Sequence, residues 1–284
     1  MFYHQSVVEF LDKSRSATSR THTTSPAPAP ALAPATIAFS EASSKIVDDI
    51  LHSEGGSPNA LLYMNARDDA SLRALSKALV PFLSSRQQAL DGYISEAESG
   101  TTPISEKTKA FWREKKAATQ VLLDVMLRAG KTSAQLDEAG KLAREEYFRN
   151  AKAIWEVGLK ENLVRLNAEV LGPYSLGKYL VDSGVCATLI KRSGDQISIA
   201  DLHLAAWLAR IVVLSGGRMD EEGDIVVTRI ESHIGSDLQF TRDFAVAAGR
   251  QDGGRPTYQS KLAGFWDAMR ERSSFKKVYA NGLY

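Results

Sequence analysis

The stretch Gly194-Asp195-Gln196-Ile197-Ser198-Ile199-Ala200-Asp201-Leu202-His203-Leu204-Ala205-Ala206-Trp207-Leu208 decides the fold, because it sets a complete helix start in front of an apolar helix. Ser198 is predicted as the N-cap, with its hydroxyl accepting from the N–H of Asp201. The Asp201 carboxylate reaches back to the N–H of Ser198 and lies at the positive end of the helix dipole. Ile197 and Leu202 occupy the two positions of a hydrophobic staple. The apolar run that follows, Leu202 to Leu214, is interrupted only by His203 and Arg210 and shorter than the roughly 20 residues a membrane span needs. It predicts a core helix, with membrane insertion excluded.

Working outward, apolar residues recur at helical spacing on both sides. Asp68 to Ala97 holds Leu72, Leu75, Leu79, Phe82, Leu83, Leu90 and Ile94, with a kink expected at Pro81. Ser105 to Ala129 holds Phe111, Ala118, Leu122, Val125 and Met126 and ends at Gly130. A third helix is predicted over Ser133 to Leu171 through Phe148, Ala151, Trp155, Leu159, Leu163, Leu166 and Val170, stopped by Gly172-Pro173. Ile46, Val47, Ile50 and Leu51 mark a short helix ended by Gly55-Gly56-Ser57-Pro58, and the core helix stops at Gly216-Gly217. A last helix carries Leu262, Phe265, Trp266, Met269 and Phe275. No run of alternating strands interrupts these helices, so the predicted architecture is all-α.

The amino end has a different composition. Met1 to Lys13 reads as a short helix with Val7, Val8, Phe10 and Leu11 on one side. The alternating prolines from Pro26 to Pro34 cannot build helix or sheet, so this part reads as an extended linker. Lys13 to Thr36 has the Ser, Ala and Arg content of a mitochondrial presequence, but Glu9 and Asp12 in the periodic part argue against import, and a cytoplasmic location is expected.

Composition bounds the chemistry. The chain of 284 residues is 44% hydrophobic, and 35 Lys and Arg nearly cancel 34 Asp and Glu, leaving a formal charge of +1. No basic field is available to hold a phosphate backbone, so nucleic acid is not expected as a partner. Cys186 is the sole cysteine, which excludes an internal disulfide framework and a cysteine zinc cluster. The histidines at 4, 22, 52, 203 and 233 stand apart without the close partners of a metal site, so no metal is expected. Gly216-Gly217 and Gly253-Gly254 read as loop glycines, Phe111-Trp112-Arg113-Glu114-Lys115-Lys116 as a solvated helix face, and Trp155, Trp207 and Trp266 as core.

The segment around Ser198 and Asp201 resembles the core helix of the all-helical C-terminal domain of glutathione transferases. Leu166 through Gly172-Pro173-Tyr174-Ser175-Leu176-Gly177 looks like the end of the helix that precedes that family's Gly-Pro-Tyr turn, and Leu262 to Met269 with Arg272 to Tyr279 looks like its last helix and tail. Leu61 to Gly130 is more loosely similar, nearest to fungal-type members. Gln5-Ser6-Val7-Val8-Glu9-Phe10-Leu11 resembles the third helix of the family's thioredoxin-like domain, where an acid or Gln followed by Ser holds the γ-glutamyl group of glutathione. The resemblance therefore implies Gln5 and Ser6 as glutathione contacts; a frayed terminal helix is the other reading of the same residues.

The resemblance implies three parts: a remnant helix of the thioredoxin-like domain over residues 1–17, a Pro/Ala-rich linker over 18–40, and a glutathione-transferase C-terminal-like helical domain over 41–284. It implies conjugation of glutathione, as co-substrate, to small hydrophobic electrophiles, with a homodimer as an open option and no further cofactor. Two departures qualify this. The family's strands and activating residue precede the Gln5-Ser6 helix, whereas this chain begins there, so impaired conjugation is expected. Lys178 to Ser193 interrupts the family pattern and reads either as translated intron sequence or as a surface loop. A non-catalytic ligand-binding or protein-interaction role for the helical domain is the alternative.

Overall fold

Helices make up nearly all the regular structure of the computed structural model, which describes residues 10, 46–100, 103–169, 199–235, 237–245 and 258–282. In chain order these are α1 (Pro58–Tyr63), α2 (Asp69–Glu98), α3 (Glu106–Leu127), α4 (Glu138–Lys152), α5 (Lys160–Glu169), α6 (Ile199–Leu214), α7 (Gly223–Ile234), α8 (Lys261–Glu271) and α9 (Ser273–Val278). The π-helical segments Val47–Leu51 and Ala153–Leu159 and short 3-10 turns complete them. The only strands among the described residues, β1 (Phe244–Ala245) and β2 (Tyr258–Gln259), pair antiparallel with Phe244 opposite Gln259. The fold is all-α, and no described helix is long and apolar enough to cross a membrane.

The chain divides into two compact units, residues 59–157 and residues 1–58 with 158–284. In the first, α2 begins at a capping box: Asp68 Oδ1 accepts from the N–H of Ala70 at 2.8 Å and of Ser71 at 2.9 Å, and Ser71 Oγ accepts from the N–H of Asp68 at 3.2 Å. These bonds hold the Asp68 carboxyl below the usual carboxylate range, the Ser71 N–H contributing most. Leu72, Leu79 and Leu83 of α2 bury against Leu123 and Met126 of α3, with Tyr147 and Ala151 of α4 in the same cluster. Pro81 lies inside α2, which runs past it.

Two buried polar groups fix this unit. The Tyr147 phenol donates to the carbonyl of Tyr63 at 2.8 Å, and burial pushes its pKa well above the ordinary value. Arg144 donates to the carbonyls of Arg128 at 2.6 Å and Lys131 at 2.9 Å, so a side chain from α4 satisfies carbonyls left over where α3 ends. The helix predicted over Ser133 to Leu171 is divided. Thr132 and Gln135 close a 3-10 turn through the Thr132 N–H at 2.9 Å, and Asp137 then restarts the chain as N-cap of α4, accepting from Gly140 N–H at 2.9 Å. Phe111, expected on the apolar side of α3, is 51% exposed, with the Lys115 ammonium 5.3 Å from its ring.

In the second unit α6 is strongly apolar and buries most of its surface, leaving an exposed stripe at Leu202, Ala206, Arg210 and Val213. Leu204, Trp207, Leu208, Ile211 and Val212 are all buried, and the Trp207 indole donates to the carbonyl of Gly56 at 2.7 Å. Trp155 in the first unit and Trp266 in the second are buried as well, so all three tryptophans read as core are core. A helix not anticipated from sequence, α7, packs on α8 so closely that a Cβ on Gly223 would lie 2.3 Å from the Ala263 carbonyl oxygen. Its Glu222 N-cap makes no side-chain bond; Asp267 of α8 accepts from the Gly223 N–H instead, at 3.0 Å.

Candidate functional site

A cavity of about 840 Å³ opens in the second unit where the C-terminal end of α6 meets the Gly217–Asp220 loop, the end of α8, and α9 with the residues after it. Gly216 builds the turn that exposes it. With φ of 79° it takes the left-handed conformation that closes α6, donating to the Val213 carbonyl at 3.0 Å, while Gly217 donates to Val212 at 2.8 Å. Val213, 42% exposed near the end of α6, and Met219 both line the cavity. Phe275 and Tyr279 supply the aromatic wall: Trp266 meets Phe275 edge-on at 5.5 Å, and Phe275 meets Tyr279 at 4.5 Å.

The rim is ionic, and most of its charges are neutralised internally. Arg218 makes a two-point contact with Asp220, with Nε to Oδ1 at 2.9 Å. That contact holds the Asp220 carboxyl below its ordinary value. Behind the loop, Glu221 accepts from Arg229 Nη2 at 2.8 Å, from Arg229 Nε at 3.0 Å and from the Arg218 N–H at 3.1 Å. Burial, the largest single influence on Glu221, raises its pKa, but these donors together outweigh it and the carboxyl ends below its usual range. Arg270 Nη1 donates to the Asp220 carbonyl at 2.8 Å, and Nη2 reaches Asp267 Oδ1 at 3.3 Å. Tyr279 is half-buried; burial raises its phenol, opposed by the charge of Arg210, so at neutral pH it is a protonated donor.

Among the described residues of this lining there is no Ser, Thr, Cys or His. Among the described residues no group of three or more His, Cys, Asp or Glu is placed to hold a metal ion. Two smaller hollows are less promising: one of about 340 Å³ beside Ser232 and His233 shares Arg229, already committed to Glu221, and one of about 220 Å³ beside Arg128 and Arg144 is bounded by an arginine fixed to backbone carbonyls.

Gln5, Ser6, Ile197, Ser198 and Cys186 lie outside the described residues. Asp201 is 1% exposed in the first turn of α6, and Leu202 is 39% exposed. Both stand near the opposite end of α6 from the cavity, about 18 Å along the axis from Val213 at 1.5 Å per residue. The cavity residues Arg218, Met219 and Arg270 carried no motif; Gly217 was read as a helix stop, Phe275 was placed by apolar spacing, and Lys276 and Tyr279 fell in the family-like tail. No family model, curated protein or solved structure matches this chain.

Proposed function

We propose that the chain is a glutathione-transferase-like protein, a C-terminal-type helical bundle whose cavity beside α6 takes small hydrophobic compounds. The observation that carries the binding part is the cavity itself: about 840 Å³, with Val213, Met219, Phe275 and Tyr279 for apolar contact and a few polar groups at its edge. Ligand pockets for small molecules have roughly this size, about 300–1,000 Å³, and this balance of surface. The apolar α6, with Asp201 buried in its first turn, supports the family reading, in which Gln5 and Ser6 hold glutathione. A second reading, binding without conjugation, is favoured by a lining whose described residues include no Ser, Thr, Cys or His.

Retention on glutathione-agarose and glutathione-dependent conjugation of chlorodinitrobenzene test the first reading. Conjugation that is lost on Ser6→Ala supports it. Saturable binding of a hydrophobic fluorescent probe, with neither retention nor conjugation, selects the second.

A further inference from the structure

Apolar surface alone does not account for the lining of the large cavity. Three cationic side chains, Arg218, Arg270 and Lys276, face two acidic ones, Asp220 and Glu271. The Arg218 charge is consumed by the two-point contact with Asp220. Arg270 is also ion-paired, to the buried Asp267, but through one nitrogen only. One nitrogen is spent on a backbone carbonyl, another reaches Asp267 only at 3.3 Å, and its Nε is buried with no hydrogen-bond acceptor. Asp267 is moreover shared, since the same Oδ1 accepts from the Gly223 N–H. The buried Nε is out of reach of anything in the cavity, but Nη1 and Nη2 each keep a second N–H beyond these contacts.

Lys276 stands at the exposed edge of the same cavity, and none of the described residues forms an ion pair with it. Glu271 is exposed to solvent, where its repulsion is screened, whereas Arg270 is largely withdrawn from water. The same lining carries the Phe275 and Tyr279 rings, 4.5 Å apart, and Met219. The Tyr279 phenol, protonated at neutral pH, adds a donor for an oxyanion and no competing charge.

We infer that the occupant of this cavity is an aromatic anion: a flat hydrophobic body against Val213, Met219, Phe275 and Tyr279, with one carboxylate or sulfonate toward Arg270 and Lys276. This rests on the reading of the cavity as a small-molecule site and specifies the class of compound. The charged end explains the placement of Arg270, and the apolar walls make its hydrogen bonds stronger than they would be in open water.

The test compares two fluorescent probes with one skeleton, anilinonaphthalene sulfonate and its uncharged parent phenylnaphthylamine, titrated into the full chain. The sulfonate is expected to bind about tenfold or more tightly than the parent, as a charge-assisted bond to a sheltered donor implies. Its advantage should shrink as salt is raised. Lys276→Gln, an exposed position whose change leaves the fold intact, should weaken the sulfonate about two- to fivefold and leave the parent unchanged. Arg270→Gln should erase most of the remaining preference. Saturable binding of both probes with equal affinity, or a sulfonate preference untouched by Lys276→Gln at low salt, overturns the inference while leaving the cavity a ligand site. Failure of both probes to bind saturably overturns the ligand site as well.

Discussion

Gly223 is the position where one added methyl group gives the sharpest test of the packing. An alanine Cβ there would meet three backbone atoms of Ala263, the oxygen at 2.3 Å and the carbonyl carbon and Cα at 2.8 Å. Carbon contacts prefer about 3.5–4.0 Å, so α7 and α8 would have to part by about 1 Å, and no flexible side chain end is there to yield. Overpacking of this kind costs about 1–3 kcal/mol, and the separation also stretches the 3.0 Å bond from the Gly223 N–H to Asp267. Reduced freedom of the unfolded chain returns about 0.4–1 kcal/mol. The net expectation is a loss of about 1–2 kcal/mol. Gly92 supplies the control, because it lies within α2 with nothing inside 4 Å of an added Cβ. There Gly→Ala should stabilise by about 0.5–1 kcal/mol. Urea denaturation of the two variants beside the parent should move the midpoints in opposite directions with little change in slope. Gly223→Ala as stable as the parent, or two shifts of the same sign, would refute the close contact between α7 and α8.

Ser198→Ala and Asp201→Ala are each expected to destabilise by about 1 kcal/mol or more, since the sequence predicts a capping box at the head of α6; thermal melts that coincide with the parent would remove Ser198 as the cap. The Glu221 carboxyl sits below its ordinary range, so its contribution is complete above the unfolded value near 4.5 and is lost as pH falls through the lower folded value. Glu221→Gln should therefore lower stability at neutral pH and flatten the fall on the acid side, as read from urea midpoints, and an unchanged acid limb in the variant would show that Glu221 is not linked to it.

The sequence by itself determined the helical class and the long elements that carry their own signals. α2 was legible because Leu72, Leu75, Leu79, Leu83 and Leu90 recur at helical spacing, and α6 because a capping box precedes a long apolar run. α7 was not. Its first turn follows an acidic run, Asp220-Glu221-Glu222, and then shows Ile225-Val226-Val227, a β-branched string that propensity places elsewhere. What holds it as a helix is tertiary: Asp267, 44 residues along the chain, accepts from Gly223 N–H, and the missing side chain of Gly223 lets α8 approach. The cavity shows the same division. Phe275 could be placed on an apolar face from spacing alone, but that Arg270 pairs with Asp267 through one nitrogen and keeps further N–H donors was settled only when the fold set it beside the Asp220 carbonyl and a shared Asp267. Periodicity is a local property of the chain, whereas the cavity is made by residues from 213–220 and 270–282 that packing alone brings together.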